Sequence, residues 1–348
     1  MRFSPIEIYR KFRRLPIRLA EAEREISKIE KRLEQKDKQI SDLRKQNSEL
    51  KKRLYGMEKQ QEYLYASVVP ASRYPEELGK WYYRQTGKRL DLDHPTTYNE
   101  KIQWFKLYGY TDETTRLVDK YKVRDFVASR IGESYLIPLL GVWKYPEQID
   151  FDTLPDRFVL QANHGCGYYY IVTDKSTLDR EDILQKANQW LETDFSFHTG
   201  FEMQYHQIER CLFAEQYLEN TEGDLYDYKV WCFNGRAEYI MFQSNRKDDM
   251  RMDIFDREWN LMTFSRGYKN SDIPPARPDN LDEMLSVAEK LADGFPHVRV
   301  DLYRMESGKL YFGEMTFTPS SGRRAWTPPE MDLIMGQKFD YTDDYARR

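Results

Sequence analysis

The chain is poor in cysteine: Cys166, Cys211 and Cys232 are its only thiols, an odd number with no Cys-x-x-Cys spacing. That excludes a disulfide framework and a structural zinc site, and it fits a reducing compartment such as the cytoplasm. No apolar run approaches the roughly 20 residues that a membrane span needs, and the first residues lack the apolar core of a signal peptide. A long basic run with interleaved aromatics is missing too, and the net charge of -4 has both signs interspersed, so nucleic acid is not an expected partner. What the chain has in excess is charge. At 32% charged residues and a mean hydropathy of -0.83 it is too polar for one uniformly globular body of 348 residues. The excess is local: residues 18–62 are dense in Lys, Arg, Glu and Gln, whereas everything after residue 66 is rich in Tyr, Trp and Phe. A division near Ser67 is expected.

From Leu19 onward apolar residues recur at alternating steps of three and four: Leu19, Ala22, Ile26, Ile29, Leu33, then Ile40, Leu43, Leu50, Leu54, Met57 and Leu64. A heptad seam sustained this long specifies a left-handed coiled coil over residues 17–66, about 70 Å for the seam itself. Asn47 falls in the seam, as polar residues do that set the register of parallel two-stranded coils. A parallel homodimer through residues 19–64 is the preferred state, with a hetero-partner, such as a polysaccharide-assembly protein, or a trimer as alternatives. Gly56 weakens the helix and Val68-Val69-Pro70 ends it. Ahead of it, residues 1–16 form an arm in which Phe3, Ile6, Ile8, Tyr9 and Phe12 alternate with Arg10, Lys11, Arg13 and Arg14. Such an arm either packs or stays disordered, or touches a membrane surface.

Residues 67–150 read as mainly helical: Pro75 to Gln85, Tyr98 to Leu107 and Arg116 to Ser129, followed by a strand around Leu140 to Trp143. Lys120 and Arg124, one turn apart in the third helix, either present paired charge to a phosphate or belong to a solvated face. In residues 151–213, a strand Arg157 to Ala162 enters Asn163-His164-Gly165-Cys166-Gly167 and leaves as a second strand, before a helix Arg180 to Leu191. The glycines free backbone N–H groups for an anion, or simply make a hairpin turn, and His164 is a ligand contact or a structural histidine. Residues 214–336 continue a strand beginning at Arg210, then pair Tyr226–Phe233 with Ala237–Gln243 through an Asn234-Gly235 turn. Asp227 and Lys229 share a face there, an arrangement that needs ligand groups or each other. Residues 337–348 are a tail.

The most informative stretch is Arg299 to Tyr303, followed after Ser307-Gly308 by Tyr311 to Phe317. If Ser307-Gly308 is a two-residue hairpin loop, Glu306 pairs with Lys309 and Asp301 with Glu314. Alternation then puts Arg299, Asp301, Tyr303, Phe312, Glu314 and Thr316 on one face, and Val298, Val300, Leu302, Met315 and Phe317 on the other. Opposed carboxylates point to a hard cation, Mg²⁺ first, or to a solvated hairpin in which Arg299 and Lys309 neutralise the acids.

Taken in order, these parts resemble the TupA-like branch of the ATP-grasp superfamily, which is associated with teichuronopeptide and capsular polysaccharide clusters. The segments Leu117–Val127, Arg157–Gly167, Leu212–Asn220, Asp227–Gly235 and Arg299–Gly322 carry the resemblance over roughly residues 75–336, leaving the coiled coil outside it. The resemblance implies an α+β ATP-grasp fold, two α+β lobes around a nucleotide site, here preceded by the long N-terminal coiled-coil helix. It implies ATP and Mg²⁺ as cofactors. By position, Lys120 is similar to the first phosphate lysine and Asn163, His164, Gly165 and Gly167 to the phosphate-covering loop. Glu215 resembles the acid that meets the adenine amino group, and the backbone at Gln216 to Leu218 completes the slot. Asp227 matches the ribose acid, Lys229 a phosphate contact, and Asp301, Glu314 and Thr316 the metal ligands. Gln161 stands where the family usually has a second lysine, which Lys175, Lys229 or Arg246 would have to replace. The implied catalytic set is Lys229, Arg246, Asp301 and Glu314, with the acceptor carboxylate held near Arg246 and the Ser320–Arg324 loop. The implied reaction joins an amine to a uronic-acid or amino-acid carboxylate through an acylphosphate. Two rivals remain: a phosphate-transferring or sugar-transferring enzyme of glycan modification, and a noncatalytic coiled-coil scaffold with a degenerate ATP site.

Overall fold

The computed structural model describes residues 5–220, 225–244 and 250–341, which fall into a unit ending at Leu64 and a unit beginning at Tyr65. The described part of the first unit is helical throughout and belongs to helix α1 (Pro5–Val68), 64 residues without a break. The backbone of the expected arm is therefore helical from Pro5, a residue tolerated in a first turn because its missing N–H has no partner there. The seam residues are exposed along the whole length, Leu43 at 62% and Met57 at 68%. No helix among the described residues is long and apolar enough to cross a membrane.

The second unit opens with α2 (Tyr74–Thr86), which has Pro75 in its first turn and ends on Gly87 in the left-handed region (φ 70°). Next comes α3 (Tyr98–Trp104), started by a Thr97/Glu100 capping box. The single helix expected from Arg116 to Ser129 is two: α4 (Asp112–Val118) and α5 (Val123–Ile131). Asp119 breaks it. Its backbone is extended, and its Oδ1 accepts from the N–H groups of Tyr121 and Lys122 at 2.9 Å each, a local turn that competes with the helical ladder. Lys120 therefore sits in a turn, and Lys120 and Arg124 do not share a helix face.

The first sheet comprises β1 (Leu139–Trp143), β2 (Phe158–Ala162), β3 (Tyr169–Val172) and, after helix α6 (Arg180–Glu192), β4 (Leu212–Gln216). Its order is β1-β4-β2-β3, antiparallel throughout. Phe158, Leu160 and Ala162 point into a core with Ile183, Ala187 and Trp190 of α6, which leaves Val159 and Gln161 for the other face. Two expected boundaries move: β1 belongs to this sheet and not to the helical part, and the division drawn between 213 and 214 falls inside β4.

The second sheet is built from β5 (Tyr226–Phe233), β6 (Arg236–Ser244) and β7 (Arg251–Phe255), then, beyond the two-residue β8 (Ser265–Arg266) and helix α7 (Leu281–Ala292), from β9 (His297–Arg304) and β10 (Leu310–Thr316). Its order is β10-β9-β5-β6-β7. Asn234 and Gly235 both take positive φ (50° and 77°), the conformation that a tight hairpin between β5 and β6 requires. On one face α7 buries Leu281, Met284, Leu285, Ala288 and Leu291 against Val230, Val298, Val300 and Leu302. The short β11 (Trp326–Thr327) pairs with β8, and α8 (Met331–Gly336) follows.

Candidate functional site

The β9–β10 hairpin brings Asp301 opposite Glu314, as the sequence predicts, but by another route. The loop is wider than two residues: Met305 N–H donates to the Lys309 carbonyl at 2.9 Å, and the ladder starts with Arg304 facing Leu310. A bulge at Gly313 then shifts the register back by one residue. The two offsets cancel for Asp301 and Glu314 but not for Phe312. Phe312 pairs with Leu302 and lies buried in the core, so its expected place on the polar face is corrected. Gly313 has little room for anything larger, since a Cβ there would sit 3.1 Å from the Asp301 carbonyl oxygen and 3.2 Å from the Tyr303 ring.

Asp301 is 2% exposed and saturated with cations. Arg299 Nε and Nη2 donate to its two oxygens at 2.6 and 2.7 Å, and Lys229, its register partner on β5, donates at 2.6 Å. Burial alone would raise the Asp301 pKa, but Arg299 and Lys229 outweigh it and hold the acid below its usual range. Lys229 also meets Asp227 at 2.8 Å. Arg299 reaches on to Glu314 (3.3 Å) and Thr316 (3.1 Å), Thr316 donates to Glu314 (3.1 Å), and Lys120 stands 3.8 Å from Glu314. Arg299 is thus the hub of the hairpin. The rival neutralising role for Lys309 fails, because its ammonium lies over the Tyr311 ring.

Facing the hairpin, β4 contributes Glu215. Arg124 donates to its Oε1 at 2.5 Å and Gln161 to its Oε2 at 2.7 Å. Burial raises the Glu215 pKa to about 7 against the opposing pull of Arg124, Gln161 and Lys120. Between the two sheets lies a cavity of about 310 Å³. Lys120, Gln161, Gly167, Glu215, Gln216, Leu218, Lys229, Asp301 and Glu314 line it, together with Tyr169, Ile171 and Tyr217 as a largely apolar wall and the thiol-bearing Cys166.

Two expected ligands have other work. Asn163 is fully buried: its Nδ2 donates to Asp119 (2.8 Å) and to the Glu209 carbonyl (3.0 Å), its Oδ1 accepts from Cys211 N–H (2.8 Å), and its own carbonyl accepts from Lys120 N–H (2.8 Å). It positions the Lys120 turn instead of reaching a phosphate. His164 is 1% exposed, with Nε2 bonded to the carbonyls of Trp190 and Thr193, and burial depresses its pKa to about 4, so it is a neutral structural histidine. Lys175 is tied to the Leu154 carbonyl, Arg323 to Gln85 and Arg324 to Tyr268, and none of them lines the cavity. Arg246 lies outside the described residues. Arg124 meets neither expectation, a phosphate or a solvated face; its ion pair with Glu215 has no local signal, because the two are 91 residues apart.

The profile of the TupA-like ATPgrasp family matches residues 100–340. The chain belongs to that family. Long helix α1 lies outside the match. Among solved structures, this TupA-like ATP-grasp chain is similar to N5-carboxyaminoimidazole synthetase from Staphylococcus aureus, at 15% identity and a TM-score of 0.34 over 58% of this chain and 44% of that one. It is also similar to D-alanine–D-alanine ligase from Bacillus anthracis complexed with ATP (15%, TM-score 0.36, 58% and 55%) and to L-amino acid ligase from Bacillus licheniformis (13%, TM-score 0.38, 59% and 44%). The chain spans about half the length of these proteins. No curated protein matches it.

Proposed function

We propose that the cleft binds ATP and that the protein is an ATP-dependent carboxylate–amine ligase acting in cell-surface polysaccharide biosynthesis. One observation carries the reading: a single cavity gathers Lys120, Gln161, Glu215 to Leu218, Lys229, Asp301 and Glu314 from six separate segments of the chain. The apolar wall of Tyr169, Ile171, Tyr217 and Leu218 suits a planar base, and Glu215 stands beside it to accept from an exocyclic amine. Lys120 and Lys229 supply positive charge toward the hairpin, where a polyphosphate would lie.

Charge balance bears on the metal. Around the hairpin Lys120, Lys229 and Arg299 are matched by Asp227, Asp301 and Glu314. A polyphosphate would draw the lysines to itself and leave two carboxylates opposed across a ladder, a situation that a hard cation relieves. The acids therefore fit Mg²⁺, with Asp301 and Glu314 as its protein ligands and Thr316 beside them. No group of three or more His, Cys, Asp or Glu among the described residues offers a metal site, so water and phosphate would complete the shell. Bound there, Mg²⁺ would supply Lewis-acid stabilisation of the transferring phosphoryl group. Arg299 orients both carboxylates. The uronic-acid or amino-acid identity of the acceptor rests on the family resemblance.

The exposed seam of α1 is assigned to a second copy of the chain, as a parallel homodimer, because Asn47 stands in a heptad series that is apolar except for it, Lys36 and Gln61. The test of the enzyme reading is ADP release over a panel of uronic acids, amino acids and amines, run beside Asp301→Asn. Release that requires both an acid and an amine, and falls at least about a hundredfold in the variant, supports it. Release without an amine points to phosphate transfer, and failure to bind Mg-ATP points to a scaffold.

A further inference from the structure

Resting on the nucleotide reading above, we infer that Arg124 is a positioning residue of the base subsite, acting through its ion pair with Glu215. Three elements converge on that one carboxylate. Arg124 comes from α5, and its second nitrogen, Nη2, donates to the Ile137 carbonyl at 2.9 Å, so the guanidinium cross-links β4 to the segment leading into β1. Gln161, from β2, holds the other oxygen at 2.7 Å but carries no charge. The register partners of Glu215 are Leu139 on β1 and Val159 on β2, both apolar. Lys120 is the remaining cation acting on Glu215, and it is also engaged at 3.8 Å with Glu314. The charge that keeps Glu215 an acceptor therefore comes chiefly from Arg124.

Arg124 lines a smaller cavity with Gln161, Glu215 and Glu314, but not the one that Lys229 and Asp301 line. It stands behind Glu215 and acts through it. A largely buried carboxylate without its cation takes up a proton, and a protonated carboxyl offers a donor where a carboxylate offers only acceptors. Arg124 thus decides what the wall presents to the base: with it, an acceptor suited to an exocyclic amine; without it, a group that also suits a carbonyl. Since burial pushes the Glu215 carboxyl up to about 7, the distinction falls where it can be measured.

The probes are ATP and inosine triphosphate, which carries a carbonyl where adenine carries its amino group. Dissociation constants are measured by calorimetry on the full-length protein with Mg²⁺ between pH 6 and 8.5. Wild type is expected to prefer ATP by about tenfold at pH 8, the size of one hydrogen bond to a charged group, and to lose that preference below pH 7. Arg124→Lys retains the preference; Arg124→Met reduces it to under about threefold at pH 7.5 and moves its onset to higher pH. Glu215→Gln makes the ratio independent of pH. If wild type prefers ATP and Arg124→Met shows the same ratio and pH profile, the inference is overturned while the nucleotide reading stands. Binding of neither nucleotide by wild type overturns both. Should Arg124→Met fail to fold, a wild-type ratio that does not change with pH, or a pH dependence that survives in Glu215→Gln, overturns the inference.

Discussion

Helix α1 and the β9–β10 hairpin use the same residue types in opposite ways. Along α1 the apolar residues are exposed and the ion pairs are wet: Lys28 and Glu25, 3.5 Å apart, are each more than 60% exposed. In the hairpin the apolar residues are core and the charges are buried, Arg299 and Asp301 at 9% and 2%. A pair in water contributes about 0–1 kcal/mol, whereas a buried charge stripped of its partner costs several times more. Charge content alone, which is higher along the helix, says nothing of this. What differs is the number of elements that converge on each charge.

The comparison can be broken or sharpened by measurement. The largest effect is expected for Arg299→Leu, which strands Asp301 and Glu314. Urea unfolding should show a loss of about 3–5 kcal/mol, recovered in part by adding Asp301→Leu, while Lys28→Ala on the helix changes stability by less than about 0.5 kcal/mol. Equal effects at the two places would erase the distinction. Next, Leu43→Asp with Leu50→Asp should abolish the dimer in light scattering while leaving the thermal midpoint of the globular unit unchanged; an unchanged mass removes the second copy as the seam's occupant.

Acid should then act on the globular unit and not on the helix. Burial holds His164 near pKa 4 and His297 near 3, against an ordinary 6.5, so both are neutral in the fold and take up protons on unfolding. Their stabilisation is complete above pH 6.5 and is lost as pH falls through that window. His164 alone accounts for roughly 3 kcal/mol of it. A thermal midpoint that stays flat from pH 7 to 4 would contradict the assignment. The smallest change, Gly313→Ala, puts one methyl 3.1 Å from the Asp301 carbonyl oxygen at the bulge, closer than ordinary contact, and should cost about 1–2 kcal/mol and lower ADP release with it.

Much of the fold was legible. Strands β2 to β6, helices α2 and α6 and the Asn234-Gly235 turn follow from period and punctuation. Helix α7 lies outside the expected elements, although Leu281, Met284, Leu285, Ala288 and Leu291 repeat at helical spacing. The break at Asp119 is not local: it depends on Asn163, 44 residues away, which holds the carboxylate that accepts from the Tyr121 and Lys122 N–H groups. At the site, the pairing of Asp301 with Glu314 was reached through two register errors that cancelled, and Phe312 records the difference. Asn163 and His164 looked like ligands for their place beside glycines, and burial gave them to the scaffold.

By itself the sequence determined what is periodic and local: the long helix and its heptad seam, the alternation of β5 and β9, the tight turns, and the order of motifs that marks the family. Only the tertiary structure decided which charges meet, because Arg124 with Glu215, Lys229 with Asp301 and Asn163 with Asp119 are joined across 91, 72 and 44 residues. Such pairs form when sheets and helices close around them, and in that low-dielectric interior the partner of a side chain matters more than its type.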